Sequence, residues 1–531
     1  MAPPTALLPA VDWTRFEVED SDLEFIYNLL MEREKPLTSG EMAKALLDER
    51  LRRLEIQASR APVPEQALYC PAGEYSVGEL LVFPALGRLS GRVVGLRPGE
   101  NPELGDFEVI QVELEPSGPR REFAARLKHH PLNEVETGPP AEAEAVTPQG
   151  ILEKFGRLIQ SKLEDRLART QDIVRIAGRW FPRALLAEIN PGHLNLAEAV
   201  LDVGDGGPLP TRALLEHVEL PPSVDPLLAE FSLDYALQED ERFDEVGPAG
   251  QVLWFLRRLE PPEVLYPPPR LAYSELPHDR HVLTDELLRL ERELDDEFSP
   301  LEPPDRPAEE VVLPLLFPHW RVGALPLNSS LLPLFPTAYE APRIRFILAD
   351  GHSGEEFPGW VVRNERYVSG LDEWYRKYDV PAGGLIRVRR GRTPGQVIVE
   401  VADRRRRSEW IRTASVSEGT QIGFTMLKQP VGASYDDRMI VGLVDPVALD
   451  EAWLRGEQHR MPIEKLVGYV FRELAKLNPQ SAVHAQALYS GVNVIRRAPP
   501  APIFAELVIR PQYVHVGDLY WRLGESAGNP A

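Results

Sequence analysis

The sequence contains a single cysteine, Cys70, among 531 residues. One thiol cannot form an internal disulfide, and a secreted protein of this length usually carries several, so the composition favours a reducing compartment. No stretch approaches the roughly 18 consecutive apolar residues that a membrane span requires, and residues 1–20 lack a basic segment before an apolar core. We therefore expect a cytoplasmic protein with no membrane partner.

Motifs that carry catalysis are also missing. The sequence has no G-x-x-x-x-G-K-[ST] phosphate loop, no G-x-S-x-G nucleophile turn and no dinucleotide fingerprint. Histidines such as the adjacent His129 and His130, or His278 and His281, lack cysteine partners and metal-ligand spacing. Residues 351–354, Gly-His-Ser-Gly, are more typical of a turn than of a serine nucleophile. We predict no enzyme activity, no cofactor, no metal and no small-molecule substrate.

Two stretches of the chain share one order of predicted elements. In residues 194–259, three helical patterns precede a hairpin with Phe-x-x-Val-Gly and then Leu-Trp. In residues 464–523, three helical patterns precede Tyr-x-x-Val-Gly and then Leu-Tyr-Trp. Three helices followed by a hairpin are typical of a winged helix, so the sequence predicts an internal repeat. An apolar stripe over residues 23–30 and a capping box at Thr38 and Glu41 predict a further helix pair.

The two repeats resemble the HARE-HTH winged-helix family, known from the delta subunit of bacterial RNA polymerase and from restriction and chromatin-associated proteins. The resemblance rests on the first helix, on the capped helix after Pro208-Leu209 or Pro479-Gln480, and on the wing with its aromatic, valine, glycine and tryptophan residues. The sequence departs from the family in lacking a Gly-Lys-Thr-Pro lead into the third helix. The resemblance implies winged-helix folds and a transcription-related role.

A second β-rich region shows the alternation typical of strands. Strands are predicted at Arg343–Leu348, 359–363, Leu385–Arg389 and Val397–Val401, with one helix at 371–378. Within it, residues 366–388 resemble the helix-then-strand core of plant-type pseudobarrel DNA-binding domains, on account of Trp374, Val380 and Gly383. That resemblance implies a DNA-binding β-barrel.

These patterns predict an α+β multidomain chain in which winged-helix (helix-turn-helix) modules alternate with small β-barrel modules. Proline clusters mark the boundaries, since 52 prolines exceed 38 glycines. The predicted segments are a helix-turn-helix-like segment (1–60), a small SH3-like barrel (61–133), an acidic and proline-rich linker (134–149), an acidic winged helix (150–260), a proline-rich linker with a charged helix at 285–298 (261–310), a barrel or pseudobarrel with a basic patch (311–427), a connector (428–459) and a basic winged helix (460–524).

Charge separates the modules, although the whole chain has a net charge of −23. Residues 194–259 carry 13 acidic side chains against 4 arginines, whereas residues 460–523 carry 8 basic against 4 acidic. Residues 343–412 carry 15 basic against 10 acidic. Nucleic-acid binding is one interpretation of the arginine run. An equally good one is that the run is a solvated loop or a docking site for the chain's own acidic segments. The candidate nucleic-acid-binding residues are Arg387, Arg389, Arg390, Arg392, Arg404, Arg405, Arg406, Arg407, Arg412, Lys465, Arg496 and Arg497.

The tryptophans are expected to lie mainly in the core, because they occur inside apolar runs. Trp374 and Tyr375, beside the arginine cluster, have base stacking as an alternative to the favoured core position. The tryptophans expected in the core are Trp180, Trp254, Trp320, Trp360, Trp410, Trp453 and Trp521.

The leading functional hypothesis is a non-enzymatic, nucleic-acid-associated adaptor. The basic barrel and the C-terminal winged helix would contact DNA, while the acidic N-terminal half would contact a protein partner such as transcription machinery. One alternative is an interaction scaffold without nucleic acid, whose arginine patches neutralise acidic modules. Another is an accessory specificity subunit of a defence or modification system.

Overall fold

The computed structural model describes thirteen stretches of the chain, with the backbone alone at 55, 57–60, 67, 405 and 406. His129 and most of the predicted linker, 134–147, lie outside the described residues. The chain divides into two compact units, Met1–Arg33 with Leu37–Ile173, and Glu34–Pro36 with Val174–Ala531. The described residues are 13–60, 67–83, 86, 89–101, 105–114, 120–128, 130–133, 148–204, 207–338, 340–393, 395–416, 421–455 and 460–524.

In its described residues, the first unit contains three α-helices and a five-stranded sheet of order β2-β3-β4-β5-β6. The predicted capping box is confirmed, because the Thr38 N–H donates to the Glu41 carboxylate at 2.8 Å and the Glu41 N–H donates to Thr38 Oγ1 at 3.2 Å. The elements are α1 (Asp20–Arg33), β1 (Leu37–Thr38), α2 (Ser39–Arg60), β2 (Ala67–Leu68), β3 (Leu80–Phe83), β4 (Leu89–Pro98), β5 (Glu108–Leu114), β6 (Arg120–Ala125) and α3 (Pro148–Leu167).

The second unit is also mixed α+β, as the sequence predicts. No helix in the described part of the chain has the length and apolar composition needed to cross a bilayer. Its helices are α4 (Pro191–Val203), α5 (Thr211–Leu215), α6 (Pro226–Gln238), α7 (Pro262–Leu265), α8 (Asp285–Leu294), α9 (Phe317–Arg321), α10 (Asp372–Lys377), α11 (Pro446–Arg455), α12 (Ile463–Ala475), α13 (Ala485–Ile495) and α14 (Pro500–Ile509). Its strands are β7 (Ile173–Ile176), β8 (Arg179–Pro182), β9 (Leu209–Pro210), β10 (Phe243–Glu245), β11 (Leu253–Leu256), β12 (Glu310–Pro314), β13 (Ala324–Pro326), β14 (Arg343–Asp350), β15 (Glu356–Val362), β16 (Tyr367–Ser369), β17 (Leu385–Arg390), β18 (Gln396–Val401), β19 (Arg404–Val416), β20 (Ile422–Ala433), β21 (Gly442–Leu443), β22 (Val483–His484), β23 (Tyr513–Gly517) and β24 (Tyr520–Leu523).

The two predicted repeats have the same topology. Helices α4, α5 and α6 accompany a three-stranded sheet of order β10-β11-β9, and helices α12, α13 and α14 accompany a sheet of order β22-β24-β23. In each sheet the second hairpin strand is central and pairs with the short strand that precedes the second helix. The helices and hairpins predicted from periodicity are therefore confirmed in both places.

A seven-stranded sheet curls into a half-barrel in the predicted β-rich region. Its order is β12-β17-β18-β14-β15-β16-β13, and β14 pairs with β18 in parallel. Alternate residues such as Ile386, Val388 and Val399 point into the core, where Trp374 and Tyr375 of α10 also lie. Both aromatic side chains are 4 % exposed, so the core position favoured for them is confirmed and base stacking is not.

The charged helix α8 is shorter than predicted. It ends at Leu294 rather than at Phe298, because Asp295 takes a left-handed conformation with φ of 43°. The Asp295 carboxylate accepts hydrogen bonds from Ser329 Oγ at 2.7 Å and from the Ser330 N–H at 2.9 Å. These long-range contacts stabilise a conformation that stops the helix. The next two residues, Asp296 and Glu297, then point into the interior.

Candidate functional site

The two arginines of β17 pair with the chain's own carboxylates. Alternation along the strand buries Ile386 and Val388 and turns Arg387 and Arg389 to the opposite face. Arg389 donates to Glu400 at 3.0 Å, and Arg387 lies 3.4 Å from Glu400 and 2.9 Å from Glu310. Burial opposes ionisation of Glu400, but hydrogen bonds from Arg389 and Arg387 lower its pKa below the ordinary value. Much of the positive charge counted on this strand is therefore locally neutralised.

Arg390 and Arg392 lie at the turn between β17 and β18. Arg390 donates to the Pro333 carbonyl at 2.7 Å, and the Arg392 side chain is exposed. Both residues line a groove together with Pro333 and with Gln251. The structure places these two arginines together at the C-terminal end of β17, directly after Arg389.

The predicted arginine run starts a long two-stranded ribbon, because β19 pairs with β20 over most of their lengths. The Arg404 guanidinium lies 4.8 Å from the centre of the Tyr378 ring, and the pairing register shifts between Arg404 and Arg407. Arg407 is exposed and makes no ion pair within the described residues. The side chains of Arg405 and Arg406 lie outside the described residues. The ribbon also continues past the boundary predicted at 427.

Trp410 projects from the middle of this ribbon into solvent, with 65 % of its surface exposed. The prediction that it lies in the core is therefore wrong. Ile411, its neighbour, is buried with Val431 on the opposite face of the ribbon. Trp410 lies directly across from Lys428, which is also exposed. Sequence alternation does distinguish the two faces, but it cannot show that no other element covers the face of Trp410.

The exposed side chains of the ribbon combine one aromatic ring with several cations. We define the ribbon surface as Arg404, Arg407, Trp410 and Lys428, which are all exposed. Lys428 shares the face of Trp410, because residues paired across two antiparallel strands point the same way. Arg404 and Arg407 lie at the open end of the ribbon, and their pairing with Ala433 and Val431 places them on the face of Ile411, opposite that of Trp410. The indole thus has one exposed cation, Lys428, opposite it on its own face, and the two arginines add positive charge on the other face toward one end of the ribbon.

Arg412 lies on the same face as Trp410 but is less accessible. It is half-buried and donates to the Asp437 carbonyl. Burial lowers the pKa of Arg412. The Arg412 guanidinium is therefore less available to a ligand than the guanidinium groups of the ribbon surface.

The three candidates in the C-terminal repeat have different surroundings. Lys465 is exposed on α12, and Arg496 donates to the Met461 carbonyl at 3.0 Å. The Arg497 side chain is fully buried and lies 2.7 Å from both Asp296 and Glu297. A buried cation with two carboxylates is not accessible to a phosphate from solvent. Among these three residues, Lys465 alone is exposed.

Arg497 instead belongs to a buried polar network that joins α13 to the segment after α8. Tyr489 donates to Asp296 at 2.5 Å, and the His319 ring contacts Glu297 at 3.0 Å. Burial raises the pKa of Glu297, but Arg497 and His319 outweigh this effect and lower the pKa below its ordinary value. The carboxylate is therefore ionised and paired. Such mutual pairing is the usual reason that charges are found inside a protein.

The third helix of the C-terminal repeat is also inside the protein. Pro500, Ile503, Phe504 and Leu507 of α14 are buried, and the helix packs against α8. A helix that reads bases must offer polar side chains to a groove. The burial of α14 leaves it no such face, in agreement with the scarcity of polar residues in its sequence.

Residues 351–354 form a turn held by Asp350. Its carboxylate accepts hydrogen bonds from Ser353 Oγ and Tyr378 Oη, each at 2.5 Å, and from Lys377 at 3.1 Å. Burial opposes ionisation of Asp350, but these donors hold its pKa well below the ordinary value. The Ser353 hydroxyl donates to an ionised carboxylate, which gives it a structural role in the turn. Within the described residues, no group of three or more His, Cys, Asp or Glu side chains is arranged to hold a metal ion.

Comparisons with protein-family models, with curated proteins and with solved structures find no match for this chain. The resemblances to the HARE-HTH and plant-type pseudobarrel families therefore stay predictions.

Proposed function

We propose that this chain is a non-enzymatic, nucleic-acid-associated adaptor that contacts nucleic acid through the ribbon surface. The observation that carries the proposal is the exposure of Trp410 beside Lys428, which lies opposite it on the ribbon that begins with the arginine run. An exposed indole can stack on a base of any sequence, and the cations can bind the adjacent phosphates. A two-stranded ribbon also has the width to enter the major groove of a duplex.

The repeated topology supports a winged-helix interpretation of residues 191–256 and 463–523. Each contains three helices, a short strand and a hairpin in the same sheet order. In the C-terminal copy, the burial of α14 argues against base reading by the third helix. We infer that this copy holds the ribbon in place, because Phe424 of β20 packs in the same core as Phe471 of α12. Contact with nucleic acid would then be largely independent of base sequence.

The acidic repeat fits a basic protein partner better than nucleic acid. Several of its carboxylates pair internally, as Glu198 and Asp240 do with Arg242. Other glutamates stay exposed and have no ion-pair partner within the described residues; they are Glu216, Glu219, Glu239 and Glu241. Exposed carboxylates repel a phosphate backbone and attract cationic surfaces. The adaptor would thus bind nucleic acid and protein through different modules.

A scaffold without nucleic acid is the second candidate, and a specific observation favours it. Arg387, Arg389 and Arg497 all bind carboxylates of the same chain. If the ribbon surface likewise paired with carboxylates of a second copy of the chain, added salt would weaken self-association, and no binding to an oligonucleotide would be seen.

The test is binding of the full-length chain to labelled single-stranded and duplex DNA, followed by fluorescence anisotropy across a salt series. We expect the double variant R407A/K428A to bind more weakly, with a log–log salt slope smaller by about 1 for each lost phosphate contact. W410A should lose about 1–3 kcal/mol of binding free energy for single strands. R289A/R292A, which removes two exposed charges from α8, is the matched control.

Two results would end the proposal. One is wild-type protein that shows no salt-sensitive binding to either DNA. The other is an equal loss of affinity in the control and in R407A/K428A, because that would reflect net charge rather than the ribbon surface.

A further inference from the structure

The C-terminal repeat contains a basic cleft that the ribbon surface does not include. We name it the α12 cleft; its volume is about 460 Å³, and Lys465, Gly468 and Arg472 line one side. Arg510 and Gln512, which follow α14, line it from a second segment. Cationic side chains from two separate elements therefore converge on one concave surface.

Helical spacing explains how α12 builds its side of the cleft. Lys465, Gly468 and Arg472 stand at positions i, i+3 and i+7, so they lie on one face of the helix. Because Gly468 has no side chain, the helix surface between Lys465 and Arg472 is not covered. A Cβ atom at that position would lie 3.4 Å from Tyr513 Oη and 3.6 Å from Arg472 Nη1. The absence of a side chain thus lets both polar groups approach the helix surface.

Tyr513 lies behind Gly468, next to the cleft but not among the residues that line it. The residue is 6 % exposed, and its ring packs 4.9 Å from that of Phe471. Burial raises the pKa of its hydroxyl, and the neighbouring Gln512 side chain acts in the opposite direction. The hydroxyl oxygen nevertheless makes no hydrogen bond of normal geometry within the described residues. A buried hydroxyl without such a bond is unfavourable, whereas one that donates to a bound anion is satisfied.

The charges of the cleft favour an anion of compact shape. Lys465 and Arg472 make no ion pair within the described residues, while Arg510 Nε donates to Glu506 at 2.9 Å. The terminal nitrogens of Arg510 remain able to donate to a ligand. Glu464 also lines the cleft and reduces its positive potential. Three cations with two carboxylates suit a single phosphate better than an extended polyanion.

We propose that the α12 cleft binds a phosphate group, supplied either by a nucleic-acid backbone or by a small phosphorylated molecule. Lys465 and Arg472 donate to the phosphate oxygens, and an oxygen that enters the space beside Gly468 comes within reach of the Tyr513 hydroxyl. With a backbone as the source, the inference rests on the proposed function. Binding of a small phosphorylated molecule does not depend on it.

The experiment compares two probes with the full-length chain, namely inorganic pyrophosphate by calorimetry and oligothymidylate by anisotropy. We expect R472Q to bind pyrophosphate at least about tenfold more weakly, because a charged hydrogen-bond partner is lost. Y513F keeps the packed ring and removes the hydroxyl, and it should weaken binding about fivefold. R289Q, on the exposed face of α8, is the control and should leave both affinities unchanged.

The outcomes separate the two sources of phosphate. If R472Q weakens binding of both probes, the site takes backbone phosphates; if it weakens pyrophosphate binding alone, the source is a small phosphorylated molecule. Wild-type protein that binds pyrophosphate but neither oligothymidylate nor duplex DNA would refute the proposed function and leave the cleft proposal standing. Absence of pyrophosphate binding, or equal binding by wild type, R472Q and Y513F, would overturn the cleft proposal.

Discussion

Asp234 gives the sharpest prediction about stability, because it is an acid buried in the core of the acidic repeat. It belongs to α6 and is 6 % exposed. Trp254 Nε1 donates to Asp234 Oδ1 at 2.9 Å, and the Thr211 hydroxyl donates to the same oxygen. Burial raises the pKa of Asp234 to about 7, although both hydrogen bonds act to lower it. The folded protein therefore keeps the Asp234 proton up to about pH 7, whereas the unfolded chain releases it near pH 3.8.

The direction of the pH effect follows from the raised pKa. The ordinary pKa of the aspartate is 3.8, so its contribution to stability is complete below that pH and is lost as pH rises toward about 7. The difference in the pKa of Asp234 between the folded and unfolded chains corresponds to roughly 4 kcal/mol of unfolding free energy. Between pH 5 and pH 8, the wild-type chain should lose about 3 kcal/mol of unfolding free energy at this site.

The assay is urea unfolding of wild type and D234N at intervals from pH 5 to pH 8. Asparagine retains an oxygen that accepts from Trp254 and Thr211 but carries no charge, so the variant should lose this part of the pH dependence. E239Q changes an exposed carboxylate and should follow the wild type. Parallel pH profiles for wild type and D234N would refute the argument that Asp234 ionises inside the core.

Three further predictions concern single contacts, each measured as the change in unfolding free energy in urea. R497M should destabilise the chain by about 3–5 kcal/mol, because Asp296 and Glu297 would stay buried without their cation; a loss below about 1 kcal/mol would mean that these carboxylates reach solvent or become protonated. T38A should cost about 1 kcal/mol by removing the α2 cap, and T38S should restore it. W410S should change stability by no more than about 0.5 kcal/mol, because the indole is 65 % exposed; a larger loss would show that Trp410 packs against the protein.

Features set by local sequence could be predicted well. The cap at Thr38 and Glu41 involves two residues on one turn, and both repeats follow from helical periodicity and a glycine after the wing valine. Such patterns depend on neighbours within a few residues, which the sequence displays directly. The strands of the half-barrel, including Leu385–Arg390, were predictable for the same reason.

Features that depend on distant partners could not be predicted. Asp295 ends α8 because Ser329 and Ser330 donate to it from another segment, and periodicity alone would have continued the helix. Arg497 resembles its neighbour Arg496 in sequence, yet its guanidinium meets carboxylates that precede it by about two hundred residues. A count of charges identifies a basic region but not which cations are already paired.

The pairing of the arginines changes how the basic region can act. Arg387 and Arg389 share Glu400, and Arg497 is buried, so these charges stabilise the fold and are not available to release counterions from a phosphate backbone. Affinity for nucleic acid must then come from fewer cations, and a small number of phosphate contacts gives weak binding at physiological salt. An exposed aromatic side chain adds affinity that salt does not screen, so the proposed binding of a strand depends on Trp410 more than on the number of arginines.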